Sequence, residues 1–116
     1  MKISYENREF CSVRNTYAGD VGSETVFHYR QAGRMVWAEY SGGEILLGQL
    51  IANCDDDGNL DMRYQHINRR GELRTGKCRS TPEVLSDGRL RLHEKWEWRD
   101  DHRSCGESVI EEISVK

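Results

Sequence analysis

The residues that decide the fold are DGRLRLHEKWEW, at positions 87–98. Apolar residues occupy positions 90, 92, 96 and 98, and polar or charged residues lie between them. Positions 58–66, GNLDMRYQH, show the same alternation after another glycine. A period of two indicates β-strands that bury one face and leave the other in solvent. The two stretches therefore predict strands of a half-buried antiparallel sheet.

Comparable runs, separated by glycine-containing turns, occur along the whole chain. The predicted strands are Lys2–Tyr5, Phe10–Val13, Glu24–Gln31, Met35–Tyr40, Glu44–Ala52, Leu60–Ile67, Glu72–Ser80, Arg89–Arg99 and Ser108–Val115. We predict a loop at Asn15–Ser23, and we place the lone proline, Pro82, in a connection after Ser80 where it cannot interrupt a ladder.

The connections between these strands are short, which favours antiparallel neighbours in sequence order. A meander of eight or nine strands buries one parity and removes its sheet edges by closing on itself. The sequence therefore predicts an all-β protein with a single domain over residues 1–116, an up-and-down antiparallel β-barrel. The alternative is a β-sandwich, whose crossovers need longer connections.

Composition excludes several classes of function. The chain has 116 residues, with 17 basic and 20 acidic side chains and a net charge of −3, and the two signs are interspersed. Nucleic-acid binding needs a clustered basic excess, so no nucleic-acid partner is expected. No apolar stretch is long enough for a membrane span or a signal peptide, so we expect no membrane partner and a cytoplasmic location.

No motif for a cofactor or a metal is present. The four cysteines, at positions 11, 54, 78 and 105, are too far apart for a Cys-x-x-Cys motif. The histidines show no zinc-ligand spacing with them. We expect reduced thiols, no metal and no cofactor.

Three consecutive strands place unusual residues on the face that should be buried. The inward parity of Leu60–Ile67 includes Tyr64 and His66, and that of Arg89–Arg99 includes Glu94 among leucines and tryptophans. The strand between them turns small residues inward, namely Gly76, Cys78 and Ser80. Large walls on either side of a small one predict a hollow that could hold one small ligand.

The candidate ligand-binding residues are aromatic or polar residues of inward parity: Tyr29, Tyr64, His66, Glu94 and Trp96. Glu94 stands out because a buried charge is costly, so this carboxyl has to be protonated, paired or wetted by a cavity. The alternative interpretation is that the rings are core and that the polar groups form a structural hydrogen-bond network.

Two strands, Glu44–Ala52 and Ser108–Val115, carry apolar residues on both parities. A strand that is apolar on both faces has something packed outside the barrel, so a homodimer is a possible partner arrangement. A β-bulge would produce the same pattern.

Several segments resemble a known family. They are Phe27-His28-Tyr29, Val36-Trp37-Ala38, Gly58–His66, Gly71-Glu72-Leu73, Ser80–Glu83 and Asp87–Trp96. The chain is similar over nearly its whole length to a family of small, mostly bacterial proteins that often carry the name N-acetylglutamate synthase. Acetyl-coenzyme A enzymes of that type bind the pyrophosphate at a glycine-bearing helix N-terminus, which this sequence lacks, so we do not expect that activity. The strand pattern itself resembles calycin-like and avidin-like barrels.

Three functions follow from these observations. The first hypothesis is a non-enzymatic barrel that binds a small metabolite in its interior. The second is an enzyme in the same pocket, with Glu94 or His66 as general acid or base. The third is a structural or dimerisation module whose interior is fully packed.

Overall fold

The computed structural model describes residues 3–15, 20–98 and 105–113, and it contains eight strands. Their bounds are β1 Arg8–Asn15, β2 Val26–Ala32, β3 Met35–Gly42, β4 Ile45–Cys54, β5 Leu60–Asn68, β6 Leu73–Val84, β7 Leu90–Trp98 and β8 Cys105–Glu112. Each strand pairs antiparallel with the next, and β8 pairs with β1. The result is the predicted up-and-down barrel, and the sandwich alternative is wrong.

The period-two pattern works because closure leaves one face of each strand inside. On β5 and β7 the even-numbered residues are buried or half-buried, which confirms the predicted parity. On β6 the inward residues are the small ones, Gly76, Cys78 and Ser80. Within the described residues there is no helix long and apolar enough to cross a membrane.

The predicted first strand, Lys2–Tyr5, is wrong over its described part, because Ile3–Tyr5 lie outside the sheet. This segment instead closes one end of the barrel. Tyr5 is fully buried, and its hydroxyl donates a hydrogen bond to the Gly58 carbonyl in the β4–β5 turn. Its alternating apolar residues therefore serve as a plug rather than as a strand.

Other predictions also differ from the structure or reach beyond it. Pro82 lies within β6 and not in a connection. Beyond Ser80 this strand pairs only with β7, so Pro82 lies where the pairing with β5 has ended, and proline is tolerated at such a position. Residues 16–19 of the predicted loop and the outer ends of the first, eighth and ninth predicted strands, at positions 2, 99, 114 and 115, lie outside the described residues.

A β-bulge explains the mixed parity at the start of β4. The register with β5 shifts between Ile45 and Leu47, so that Ile45 is buried while Leu46 and Leu47 are exposed. After the bulge the strand alternates regularly, with Leu50 inside and Ile51 outside. The bulge accounts for the pattern but leaves apolar side chains on the outer surface.

Candidate ligand-binding site

The half of the barrel away from the Tyr5 plug contains a cavity. The volume of the cavity is about 50 Å³, counted as the space open to the centre of a water-sized sphere. One water needs on the order of 10–15 Å³ by this measure, so the space holds a few waters or one compact organic group. The lining residues are Asp20, Val21, Phe27, Tyr40, Leu50, Met62, Tyr64, His66, Cys78, Glu94, Trp96, Trp98 and Ser108. The interior is therefore not fully packed.

Five aromatic side chains line the cavity. Trp96 and Trp98 lie with their ring centroids 5.8 Å apart, and Tyr64 meets Trp98 edge-on at 5.3 Å. On the opposite side Phe27 stacks on Tyr40 at 4.8 Å. Such tilted and edge-on pairs are favourable because the positive edge of one ring meets the negative face of another.

Two glycines opposite tyrosines set the position of these rings. Gly48 is the cross-strand partner of Tyr40, and Gly76 is the partner of Tyr64. A Cβ at either glycine would collide with the tyrosine ring. The absent side chains therefore let both rings lie against the neighbouring strand, which keeps the middle of the barrel open.

Glu94 projects from β7 into the cavity. Its neighbours in register are Ser80 on β6 and Ser108 on β8. Both hydroxyls donate hydrogen bonds to its carboxylate, at 2.6 Å and 3.3 Å. Burial raises the pKa of Glu94 from 4.5 to about 7, although the two serine hydrogen bonds oppose that rise. The carboxyl is thus poised between its charged and neutral forms near neutral pH.

His66 belongs to a separate hydrogen-bond network on the same cavity. Its Nδ1 lies 3.0 Å from the Tyr40 hydroxyl and its Nε2 lies 3.0 Å from Asp20 Oδ2. Because a carboxylate only accepts, Nε2–H donates to Asp20 and Nδ1 accepts from Tyr40. Burial lowers the pKa of His66, with the Asp20 carboxylate opposing that shift.

Asp20 ties this network to the rim of the barrel. Burial alone would raise the pKa of Asp20, but hydrogen bonds from His66 and Asn68 hold it below its ordinary value. Arg74 adds an ion pair at 3.6 Å, and its guanidinium lies 3.9 Å from the centre of the Trp98 ring. The Asp20 charge is therefore compensated within its own network.

The structure brings four of the five predicted site residues to one cavity: Tyr64, His66, Glu94 and Trp96. The fifth, Tyr29, is fully buried beside Phe10, with ring centroids 4.8 Å apart, and is not among the lining residues. Its hydroxyl and the Trp98 indole nitrogen have no hydrogen-bond partner among the described residues. Sequence reasoning missed Asp20, because a loop residue has no periodicity, and Tyr40, although the glycine opposite it is a usable signal.

Comparison with known proteins agrees with this geometry. The sequence model of the family described as avidin-like protein matches residues 3–113. The chain belongs to the avidin-like protein family. No curated protein and no solved structure gives a significant match. Membership of the avidin-like family thus agrees with the closed barrel, and the chemistry of the site rests on its own residues.

We predict that Glu94 makes this avidin-like barrel less stable as the pH rises. The pKa of Glu94 is about 7 in the fold and 4.5 in the unfolded chain, so the folded state binds the proton more tightly. The resulting stabilisation is fully present below pH 4.5, the pKa of the unfolded chain, and is lost as the pH rises through about 7, the pKa in the fold. The loss in the free energy of unfolding is about 3 kcal/mol at most.

Urea unfolding between about pH 5 and pH 8 measures this effect in the wild type, Glu94→Gln and Glu39→Gln. Glu39 is exposed on the outer face of β3 and serves as the matched control. The Glu94→Gln variant should gain stability relative to the wild type as the pH rises, while the control should follow the wild type. Because burial lowers the pKa of His66, its contribution to stability changes with pH in the direction opposite to that of Glu94. His66 is present in all three proteins, so this contribution cancels when they are compared. Parallel curves for the wild type and Glu94→Gln would contradict the assignment.

Proposed function

We propose that this avidin-like barrel is a non-enzymatic protein that binds a small metabolite in its cavity. The observation that carries the proposal is the cavity itself, in which aromatic side chains surround the carboxylate of Glu94, which has no ion-pair partner among the described residues. Ligand sites in proteins typically combine a mostly apolar lining with a few placed polar groups. Members of the avidin-like family bind small ligands, which supports the same conclusion.

The size of the cavity limits the ligand. A space of about 50 Å³ for the centre of a water-sized sphere suits a compact group and not an extended molecule. Aromatic contacts would supply most of the binding energy, since each buried ring contributes a large apolar area. Glu94 would then determine the orientation and the charge preference.

A substitution that fills the cavity should abolish binding. Cys78 is buried and lines the cavity, so Cys78→Met extends a flexible apolar side chain into the empty space. Thr75→Val, on the outer face of the same strand, is the control. The measurement is ligand-observed NMR with a library of metabolites of up to about ten non-hydrogen atoms, a size set by the small cavity. We expect metabolites that bind the wild type and Thr75→Val but not Cys78→Met.

The proposal fails if no metabolite binds the wild type. It also fails if every metabolite that binds does so equally well to Cys78→Met, because those molecules then occupy another site. Circular dichroism of both variants shows that the barrel is retained, so that loss of binding is not loss of the fold.

A second candidate function is acid–base catalysis in the same cavity. The observation that favours it is the pKa of Glu94, about 7, which lies where a general acid or base is most effective. His66 is the weaker candidate, because both of its ring nitrogens are already hydrogen-bonded to Tyr40 and Asp20.

Glu94→Gln separates binding from catalysis. The amide keeps the shape of the side chain but cannot transfer a proton. If the protein only binds, a metabolite that binds the wild type is recovered unchanged after long incubation with either protein, and NMR of the mixture shows this directly. Turnover by the wild type that falls by about a hundredfold or more in Glu94→Gln would instead identify a catalytic carboxyl.

We further propose that two copies of the chain associate through an outer patch on β4–β6. The patch consists of Leu47, Ile67 and Leu73, which are direct cross-strand neighbours, with the next row Gln49, Gln65 and Thr75. Leu47, Ile67 and Leu73 are exposed, and none of the six side chains carries a charge. A second copy can therefore meet this patch without like-charge repulsion, although each chain has a net charge of −3.

The oligomeric state tests this association. Leu73 is 69% exposed at one end of β6 and Val84 is 48% exposed at the other. By light scattering after size exclusion we expect a dimer for the wild type and Val84→Glu, and a monomer for Leu73→Glu. A monomeric wild type, or a dimeric Leu73→Glu, would rule out the patch as the interface.

We also propose a cytoplasmic location, which suits the four unpaired cysteines. That the chain does not synthesise N-acetylglutamate stays a prediction.

A further inference from the structure

The cavity has the composition of an aromatic cage with one anionic wall. Five of its lining side chains are aromatic: Phe27, Tyr40, Tyr64, Trp96 and Trp98. The carboxylate of Glu94 faces the same space. The remaining lining side chains are the apolar Val21, Leu50 and Met62, together with Asp20, His66, Cys78 and Ser108. The Asp20 carboxylate is already paired with Arg74.

Glu94 has no cationic partner among the described residues, where its hydrogen bonds come from two serine hydroxyls. The charge of Glu94 acts in turn on four titratable groups of the interior, Tyr5, Tyr29, Tyr40 and Cys78. Burial raises the pKa of each of these four groups, so all four are neutral near pH 7. The positive charge that would compensate an ionised Glu94 is therefore left for a proton or a ligand to supply.

The aromatic rings, like Glu94, favour a positively charged ligand. The face of an aromatic ring carries negative potential, and a cation held over tryptophan or tyrosine is attracted to it. Trp98 already shows this preference, because the Arg74 guanidinium lies 3.9 Å from the centre of its ring. Arg74 is engaged with Asp20, at 3.6 Å, so it leaves Glu94 uncompensated.

The supply of hydrogen bonds decides which kind of cation fits. A primary ammonium brings three N–H donors that each need an acceptor, and burying them without acceptors is costly. His66 already bonds to Tyr40 and Asp20. The carboxylate of Glu94 already accepts from two serines, and its remaining lone pairs can accept about two further hydrogen bonds, fewer than an ammonium donates. An ammonium whose hydrogens are replaced by methyl groups needs no acceptors, and its methyl groups can pack against the rings.

We propose that the cavity binds the methylated ammonium group of a small organic cation, with its charge beside Glu94 and its methyl groups against Tyr64, Trp96 and Trp98. This inference rests on the proposed function, since it names the ligand class of the same cavity. The compact trimethylammonium group also matches the limited space, about 50 Å³ for the centre of a water-sized sphere.

The test compares choline with its neutral isostere, 3,3-dimethylbutan-1-ol. The two molecules have the same shape, and only choline carries a charge. Tetramethylammonium is the third probe and contains the head group alone. Isothermal titration at about pH 8, where Glu94 is mostly ionised, measures all three at matched ionic strength. We expect the affinity for choline and for tetramethylammonium to be at least about tenfold higher than the affinity for the neutral isostere.

Glu94→Gln should reduce this preference to the smaller part that the aromatic rings supply, while Glu39→Gln should keep it in full. Lowering the pH from about 8 to about 6 should weaken choline binding to the wild type by about tenfold, because protons then occupy Glu94. In Glu94→Gln only the smaller effect of His66 should remain.

Equal affinity of the wild type for choline and 3,3-dimethylbutan-1-ol would overturn the cation proposal and leave the binding function standing. Binding of choline that Glu94→Gln does not weaken would overturn it as well. If neither cation binds, the proposal fails, and the metabolite experiment with Cys78→Met then decides separately whether the cavity binds anything. Cations that bind Cys78→Met as well as the wild type occupy some other site and also count against the proposal.

Discussion

Hydrogen bonding between β8 and β1 is the constraint on which the rest of the structure depends. It closes the sheet, so that every strand has one face inside and one face outside. Within the closed sheet, the register of β7 with β6 and β8 places Glu94 between Ser80 and Ser108. Without the pairing of β8 with β1, the inward-facing side chains of the eight strands would not share a common interior, and the cavity would not exist.

Much of this arrangement is predictable from the sequence, because period-two alternation assigns each side chain to a face. Tyr64, His66, Glu94 and Trp96 meet at one cavity for that reason. The position of Asp20 is not predictable in the same way, since it lies in a connection where no periodicity applies. The Ile3–Tyr5 plug misleads for the opposite reason, because an end cap has the same alternation of apolar residues as a strand.

The two polar groups that parity places inside have different physical situations. His66 satisfies both ring nitrogens within the protein, and Asp20 is balanced by Arg74, so this network is complete without a ligand. It orients Tyr40 and leaves little for His66 to offer. Glu94 receives hydrogen bonds but no compensating charge from the part of the chain that the structure describes, so its environment there is incomplete whenever it is ionised. The structural interpretation fits His66, and the ligand-binding interpretation fits Glu94.

A proton and a ligand cation would compete for the same carboxylate, and this links the occupancy of the barrel to its stability. In the free protein burial favours the protonated form of Glu94, because a neutral carboxyl costs less in an aromatic interior than a charged one. A cation beside Glu94 reverses that preference by compensating the charge and lowers the pKa of the carboxyl. Binding would then release a proton near neutral pH. The energetic cost of an ionised carboxyl in the empty barrel thus becomes part of the affinity for a positively charged ligand.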